Sequence, residues 1–191
     1  MTLSVIVPTL GRETLAATLE SILPQLAGGD EVLVVADGPQ PAAAAVVRGA
    51  GSDHIRYFEH GPTGAKGNSQ RNAGIARAAG DYLLFMDDDD VYVRGALAKI
   101  RDAARADSGR SFVFRMDNYG TILWRARRLS YGDVGTPMFV APNVRGSVPE
   151  WRDSDYDFAC DFVARHGPPV WREEVVAVVR PHLGRHVVSL S

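Results

Sequence analysis

Short apolar runs alternate with helix-spaced apolar residues through the first half of the chain. Leu3 to Val7 is a compact apolar run, as expected for a strand covered on both faces. Leu15, Leu19, Ile22, Leu23 and Leu26 then recur at helical spacing, and Gly28-Gly29 stops that helix. Val32 to Ala36 reads as a second buried strand, ending in the turn Asp37-Gly38-Pro39. A short helix is predicted over Pro41 to Arg48, with Pro41 tolerated in the first turn, and a third strand over Ile55 to Phe58. Asn68 to Ala79 is predicted helical, closing at Gly80, and Tyr82 to Met86 is a fourth buried strand that runs straight into Asp87.

Four strands separated by helical segments predict an α/β fold with a parallel, doubly wound sheet. Ligands of such sheets bind outside the carboxyl ends of the strands. That rule selects Pro8-Thr9, Asp37-Gly38 and Asp87 to Asp90, which are expected to converge on one crevice. The second half has a different pattern. Ala96, Leu97, Ile100, Ala103 and Ala104 form an amphipathic helix, and Phe112 to Met116 and Thr121 to Trp124 a hairpin around Asn118-Tyr119-Gly120. Residues 130 to 153, rich in Gly, Pro, Ser and Arg, are expected to be a long functional loop with a strand near Met138 to Val140. Helical spacing returns from Phe158 to His166, and Val175 to Val179 reads as a last strand. One domain is expected, with a nucleotide-type half over 1–105 and a more variable half over 106–191.

Composition narrows the function. The 191 residues suit a single core, and 46% hydrophobic content predicts a folded globule. With 21 basic and 23 acidic residues there is no broad basic field for nucleic acid. The single cysteine, Cys160, rules out an internal disulfide and fits a reducing compartment, so a cytoplasmic location is expected. The apolar start lacks basic residues and is interrupted by Pro8, so it reads as a strand and not a signal peptide. No apolar stretch approaches the roughly 20 residues of a membrane helix.

The aspartate run carries the chemistry. Two carboxylates about 4 Å apart repel by about 1 kcal/mol in water and about 4 kcal/mol near a protein surface. Four in succession need solvent, basic partners or a cation, and Mg²⁺ and Mn²⁺ prefer such oxygen ligands. Alternation along an extended segment puts Asp87 and Asp89 on one side, Asp88 and Asp90 on the other. An acidic loop capping the next helix is the competing reading, with Asp90 as its opener.

Together, Ser4-Val5-Ile6-Val7-Pro8-Thr9, Leu15 to Leu23, Val34-Val35-Ala36-Asp37-Gly38, Arg71-Asn72-Ala73-Gly74-Ile75 and Gly80 to Asp90 resemble the family 2 glycosyltransferases. The resemblance resumes at Ser154-Asp155-Tyr156-Asp157-Phe158, which is similar to that family's acidic pair at the start of a late helix. It implies the GT-A fold, with a Rossmann-like, mostly parallel central sheet and helices on both faces. It also implies inverting transfer from a nucleotide diphosphate sugar, UDP-linked by default, assisted by Mn²⁺ or Mg²⁺. On that resemblance Pro8, Thr9 and Asp37 hold base and ribose, Asp88 faces the ribose, and Lys66 and Arg71 lie near the diphosphate. Asp87 and Asp89 form the aspartate–any–aspartate metal motif.

Some features depart from the family pattern. Ala36 stands where an acidic residue is common, Ser154 where a glutamate usually precedes the catalytic aspartate, and Gly11-Arg12 replaces Asn-Arg. The Gln-x-x-Arg-Trp motif of processive synthases is absent, which favours a single-transfer enzyme.

The chemistry needs a base for the acceptor hydroxyl. Asp155, at a predicted helix start, is the candidate, with Asp153 and Asp157 as alternatives and a helix N-cap as the competing role. His182 is a candidate metal or diphosphate contact, or else a surface histidine. Lys66 and Arg71 have an exposed basic face as their alternative. Trp151 can pack on a sugar face, whereas Trp124, Trp171 and Cys160 read as packing residues. The acceptor is open among glycan, lipid-linked sugar, protein and modified nucleobase. A sugar-1-phosphate nucleotidyltransferase would need a glycine-rich, basic loop after the first strand, where Pro8 to Arg12 has one glycine. A non-catalytic nucleotide-sugar module would need no Asp155, and a phosphorylatable-aspartate signalling domain would place acids where Pro8-Thr9 stand.

Overall fold

The computed structural model describes residues 1–64 and 66–180. Strand β1 (Leu3–Thr9) is buried at all seven positions, so both of its faces are covered. β2 (Glu31–Asp37), β3 (Ile55–His60) and β4 (Tyr82–Phe85) join it in the order β3-β2-β1-β4, all parallel. The register pairs Thr9 with Ala36 and Ile6 with Phe85. Pro8-Thr9, Asp37 and Asp87 therefore leave the sheet side by side at one edge, as the ligand rule for such sheets requires.

Helix α1 (Leu15–Ile22) buries Leu15, Thr18, Leu19 and Ile22, one stripe at helical spacing. α2 (Pro41–Ala50) begins on its proline and ends on Gly51 in the left-handed conformation. α3 (Asn68–Ile75) lies on β1 and β2 with almost no clearance. A Cβ on Gly74 would come within 2.5 Å of Ile6 Cγ2, so glycine is what permits the approach. The helix is shorter than the predicted 68–79. Its end tightens instead, with Arg77 N–H donating to Gly74 O and Ala78 N–H to Ile75 O.

The second half adds β5 (Val91–Tyr92), α4 (Ala96–Ala106), β6 (Phe112–Asn118), β7 (Thr121–Leu123), β8 (Phe139–Pro142), α5 (Asp155–His166) and β9 (Val170–Val178). β8 runs antiparallel to β4 and joins the halves into one sheet among the described residues, ordered β3-β2-β1-β4-β8-β6-β9-β5, with β7 on β6. The architecture is the expected mixed α/β. Parallel pairing dominates only through β4, because β8, β5 and β7 all pair antiparallel. The hairpin formed around Asn118-Tyr119-Gly120 as predicted, pairing Asn118 with Thr121. β9 starts five residues before the predicted Val175, since its charged stretch Arg172-Glu173-Glu174 hides the strand from an apolar pattern. Phe85, Phe139, Phe158 and Phe162 fill the seam under α5 through edge-on ring contacts.

Candidate active site

The strand ends open onto a cavity of about 380 Å³. Its wall includes Pro8, Thr9, Asp37, Lys66, Arg71, Asp87, Asp88 and Asp89, eight of the residues singled out from sequence, together with Arg12, Gln70 and Arg180. His182 lies outside the described residues.

At one end stands Asp37, the last residue of β2. Its Oδ1 accepts from Thr63 N–H (2.7 Å) and Gln70 Nε2 (2.8 Å), and its Oδ2 from Gly64 N–H (3.1 Å). Gln70 is fully buried on α3, and its Oε1 has no hydrogen-bond partner among the described residues. The start of α3 closes the middle of the cavity. Gly67 has φ 84°, and a Cβ there would meet Pro8 Cβ at 3.1 Å and Arg71 Nη1 at 2.9 Å. Lys66 is exposed beside it.

The next residue of α3, Arg71, corrects the exposed-face alternative. It is 5% exposed, pairs with Asp87, donates to Lys66 O (3.1 Å) and Asn68 Oδ1 (3.3 Å), and lies over the Trp151 ring at 4.7 Å. Trp151 is corrected with it. The ring is buried, stacked on Phe158 at 4.4 Å, and serves as a floor for Arg71 instead of a sugar platform.

The aspartate run is a turn, not the expected extended segment: β4 ends at Phe85, and Asp90 N–H donates to Asp87 O (3.2 Å). Asp88 and Asp90 are buried, whereas Asp87 and Asp89 are partly open. Asp88 ties down the chain after β1: Thr9 Oγ1 (2.6 Å) and Leu10 N–H (3.2 Å) donate to Oδ2, and Arg12 Nη1 (2.6 Å) to Oδ1. Asp89 Oδ2 faces Arg180 Nε at 3.1 Å and Arg12 Nη1 at 3.4 Å.

Asp90 does not open the next helix. That helix starts at Ala96 behind Gly95, and β5 intervenes. Instead, one oxygen each from Asp87, Asp89 and Asp90 lie within 4.8 Å of one another. Burial, reinforced by Asp87, raises the Asp90 carboxyl to about 8, although the Arg180 N–H bond (2.8 Å) opposes the shift.

Asp155 is the first residue of α5. The capping role belongs to Ser154, whose side chain accepts from Asp157 N–H (3.2 Å). Asp157 is exposed and bonded to Ser154 Oγ (2.6 Å). Asp153 is also exposed. Asp155 alone of the three is partly buried, and burial raises its carboxyl, with the Tyr156 N–H bond lowering it, Asp87 raising it and Arg71 lowering it. It does not line the cavity itself but feels the charges of two residues that do.

Arg12, Gln70, Asp90 and Arg180 were missed by sequence reasoning as site residues. Gln70 stands directly before the highlighted Arg71, and Asp90 within the run itself. Arg180 carried no signal beyond being an arginine near a strand end, whereas Arg12 belongs to the Gly11-Arg12 pair that stands where the family has Asn-Arg.

Residues 4–140 match the sequence profile of Glycosyl transferase family 2. The chain belongs to this family. By family it is a glycosyltransferase chain. It is similar to the GalNAc(5)-diNAcBac-PP-undecaprenol beta-1,3-glucosyltransferase of Campylobacter jejuni, with 33% identity over 123 residues, covering 59% of this chain and 37% of that protein. An uncharacterized glycosyltransferase of Rickettsia felis is 32% identical over 124 residues, 62% of this chain and 19% of that one. The chain thus spans well under half the length of these relatives. Among solved structures, S. aureus TarS 1-349 in complex with UDP-GlcNAc superposes with a TM-score of 0.79 at 16% identity, over 94% of this chain and 58% of that chain. The mannosyltransferase PcManGT from Pyrobaculum calidifontis, in complex with GDP-Man and Mn²⁺, gives 0.71 at 18% identity, over 93% and 56%. These likenesses identify the fold as that of GT-A glycosyltransferases. No helix among the described residues is long and apolar enough to cross a membrane.

Proposed function

We propose that this family 2 chain transfers one sugar from a nucleotide diphosphate sugar to an acceptor hydroxyl, with inversion, using Asp155 as base and a divalent cation at the aspartate cluster. The observation that carries the proposal is one cavity running from Asp37 to Asp87 and Asp89, which cluster with Asp90, and the partly buried Asp155 beside its acidic end.

Residue roles follow from position and chemistry. Pro8 and Thr9 wall the base end, where the Asp37 carboxylate can accept from a base N–H. Gln70 Nε2 holds that carboxylate in place (2.8 Å). Lys66 and Arg71 stand where a diphosphate would lie between base and cluster. Asp88, with both oxygens engaged by Thr9, Leu10 and Arg12, shapes the ribose region through the loop it holds. The half over 1–105 would bind the donor and that over 106–191 the acceptor.

The cluster suits Mn²⁺ or Mg²⁺ in its donor set. Three carboxylates converge, and the buried Asp90 holds a proton near neutral pH that a cation would replace. Asp87, Asp89 and Asp90 would hold the ion, which when bound stabilises negative charge on the leaving diphosphate. Asp155 takes the acceptor proton as the acceptor oxygen bonds to the anomeric carbon. The bond from that carbon to the phosphate oxygen breaks, and the nucleoside diphosphate leaves with the electron pair. UDP-sugars are the first donors to test, because TarS is seen with UDP-GlcNAc, but PcManGT with GDP-Man makes guanine donors the second choice. The relative named for an undecaprenol-linked substrate supports testing lipid-linked sugars as acceptors. The unpaired Cys160 suits a cytoplasmic setting.

A screen of UDP- and GDP-sugars with Mn²⁺ tests the reading. Turnover or hydrolysis of at least one donor is expected, lost with EDTA and in Asp89→Ala. Activity that survives both would remove the cation from the mechanism.

A further inference from the structure

The segment leading into β8 builds an aromatic surface next to the proposed base. Tyr131 is 80% exposed, yet the chain that carries it is anchored on both sides. Asp133 N–H donates to Ser130 O (3.1 Å) across a turn that contains Gly132 at φ 75°. The buried Asp133 carboxylate accepts from Arg125 Nε (3.0 Å) and Arg125 N–H (3.2 Å), and Val134 is buried in the core. Gly135 follows, packed against Met116 so closely that a Cβ there would lie 2.4 Å from its Cε and 3.8 Å from Asp155 Oδ2. The anchored segment therefore passes the Asp155 carboxylate and holds Tyr131 out into solvent.

Among the described residues Tyr131 meets the ring of Tyr156. The two centroids lie 6.1 Å apart, at 81° between planes. Tyr156 is the residue after Asp155 on α5, and its N–H donates to Asp155 Oδ1 (3.1 Å). The two rings form an L-shaped shelf joined to Asp155 through both Tyr156 and Gly135. A rigid, exposed ring loses little conformational entropy when something packs on it and offers an apolar face with a polar tip.

Two exposed arginines of the same segment are matched, Arg125 by Asp133 at 3.0 Å and Arg127 by Glu173 at 2.9 Å, with Arg128 exposed beside them.

We propose that Tyr131 and Tyr156 are the acceptor subsite, a shelf that seats the C–H face of a pyranose ring and presents one of its hydroxyls to Asp155. The acceptor is accordingly a glycoside. This rests on Asp155 being the base, and it takes from Trp151 the sugar-stacking role that the sequence suggested.

The test uses saturation-transfer NMR from the protein to methyl glucoside, galactoside, mannoside and N-acetylglucosaminide, with UDP and Mn²⁺ present. At least one is expected to receive saturation, strongest on protons of one ring face. Tyr131→Ala should weaken that binding about tenfold, the scale of losing an aromatic contact, and Tyr131→Phe should restore it. In transfer assays the loss should fall on acceptor KM more than on kcat. UDP affinity by calorimetry checks that each variant is folded. Saturation of no pyranoside, binding indifferent to Tyr131→Ala, or transfer confined to farnesyl phosphate irrespective of Tyr131 would each overturn the shelf. Donor hydrolysis without any acceptor tests the catalytic reading separately. If it persists while the shelf fails, only the acceptor subsite is wrong. If it is absent, the NMR arm still decides the shelf.

Discussion

Arg71 is the residue whose removal the structure prices most directly. Its guanidinium is 6% exposed, paired with Asp87, bonded to Lys66 O and Asn68 Oδ1, and laid over Trp151. Arg71→Leu keeps apolar bulk over Trp151 but strands the Asp87 carboxylate. Breaking a buried pair by removing one partner costs about 3–5 kcal/mol. Asp87 is 35% exposed, so solvent screens part of that loss, and about 2–3 kcal/mol is the better figure. The lost cation–π contact adds about 0.5–1 kcal/mol. A chain of this length loses roughly 2–4 °C of Tm per kcal/mol, so Arg71→Leu should melt about 5–16 °C below wild type.

Arg71→Lys keeps a charge but not the planar fork, and should fall between. Because the variant frees Asp87 from its partner, Mn²⁺ should raise the Tm of Arg71→Leu by more than it raises that of wild type. The assay is thermal unfolding by circular dichroism, with EDTA and with saturating Mn²⁺. A Tm within about 1 °C of wild type would refute the argument, because a buried ion pair of this kind cannot be removed so cheaply.

Two further outcomes concern the carboxyls. Asp155→Asn should keep UDP affinity and lose transfer by about 10²–10⁴-fold, the usual weight of a general base. Burial raises the Asp155 carboxyl, so in the wild type kcat/KM should fall on the acid side at a pH above the ordinary aspartate range. A pH–rate profile whose acid limb sits at or below that range would count against the assignment. Asp90 titrates near 8 when folded against an ordinary value of 3.8, so its ionisation opposes folding between those values and metal-free stability should decline as pH rises through that window. Asp90→Asn should therefore melt higher than wild type at pH 8 in EDTA and gain less from Mn²⁺. A variant that gains as much from Mn²⁺ as wild type would take Asp90 out of the cation site.

The parallel half of the fold was legible because each of its strands is short, apolar and bounded by a turn, and because adjacency in a parallel sheet brings carboxyl ends together. Six of the nominated residues share one wall for that reason, and Lys66 and Arg71 reach it from the start of α3. Other features depend on contacts that a linear pattern does not carry. β5 is two residues long and follows the aspartates directly, so no periodicity announces it. The charged start of β9 is a strand because β6 pairs with it from Phe112 onward, a long-range register invisible in local composition. Trp151 looked available for a sugar because its loop is polar, but Phe85 and Phe158 close around it. Arg12 and Arg180 reach the aspartates from positions 77 and 91 residues removed from Asp89, and only folding makes them neighbours.

The four aspartates are held apart in function by the turn they form and by their partners. Asp88 turns inward and spends its charge on Thr9, Leu10 and Arg12, fixing the chain after β1. Asp87 turns toward α3, where Arg71 holds it, while the preceding helical residue, Gln70, holds Asp37 at the other end of the cavity. Two consecutive side chains of one helix thus set the spacing between the proposed base-binding and cation-binding carboxylates. That helix is itself fixed on β1 by the contact of Gly74 with Ile6. Asp89 is matched by Arg12 and Arg180, and Asp90 by a proton, so the cluster is close to charge balance before any ligand arrives. A divalent cation alone would disturb that balance. A cation that enters with an anionic diphosphate would not, because the arginines released from the aspartates gain phosphate oxygens in exchange. The same argument predicts that a cation and a nucleoside diphosphate would each tighten the other's binding by an equal factor.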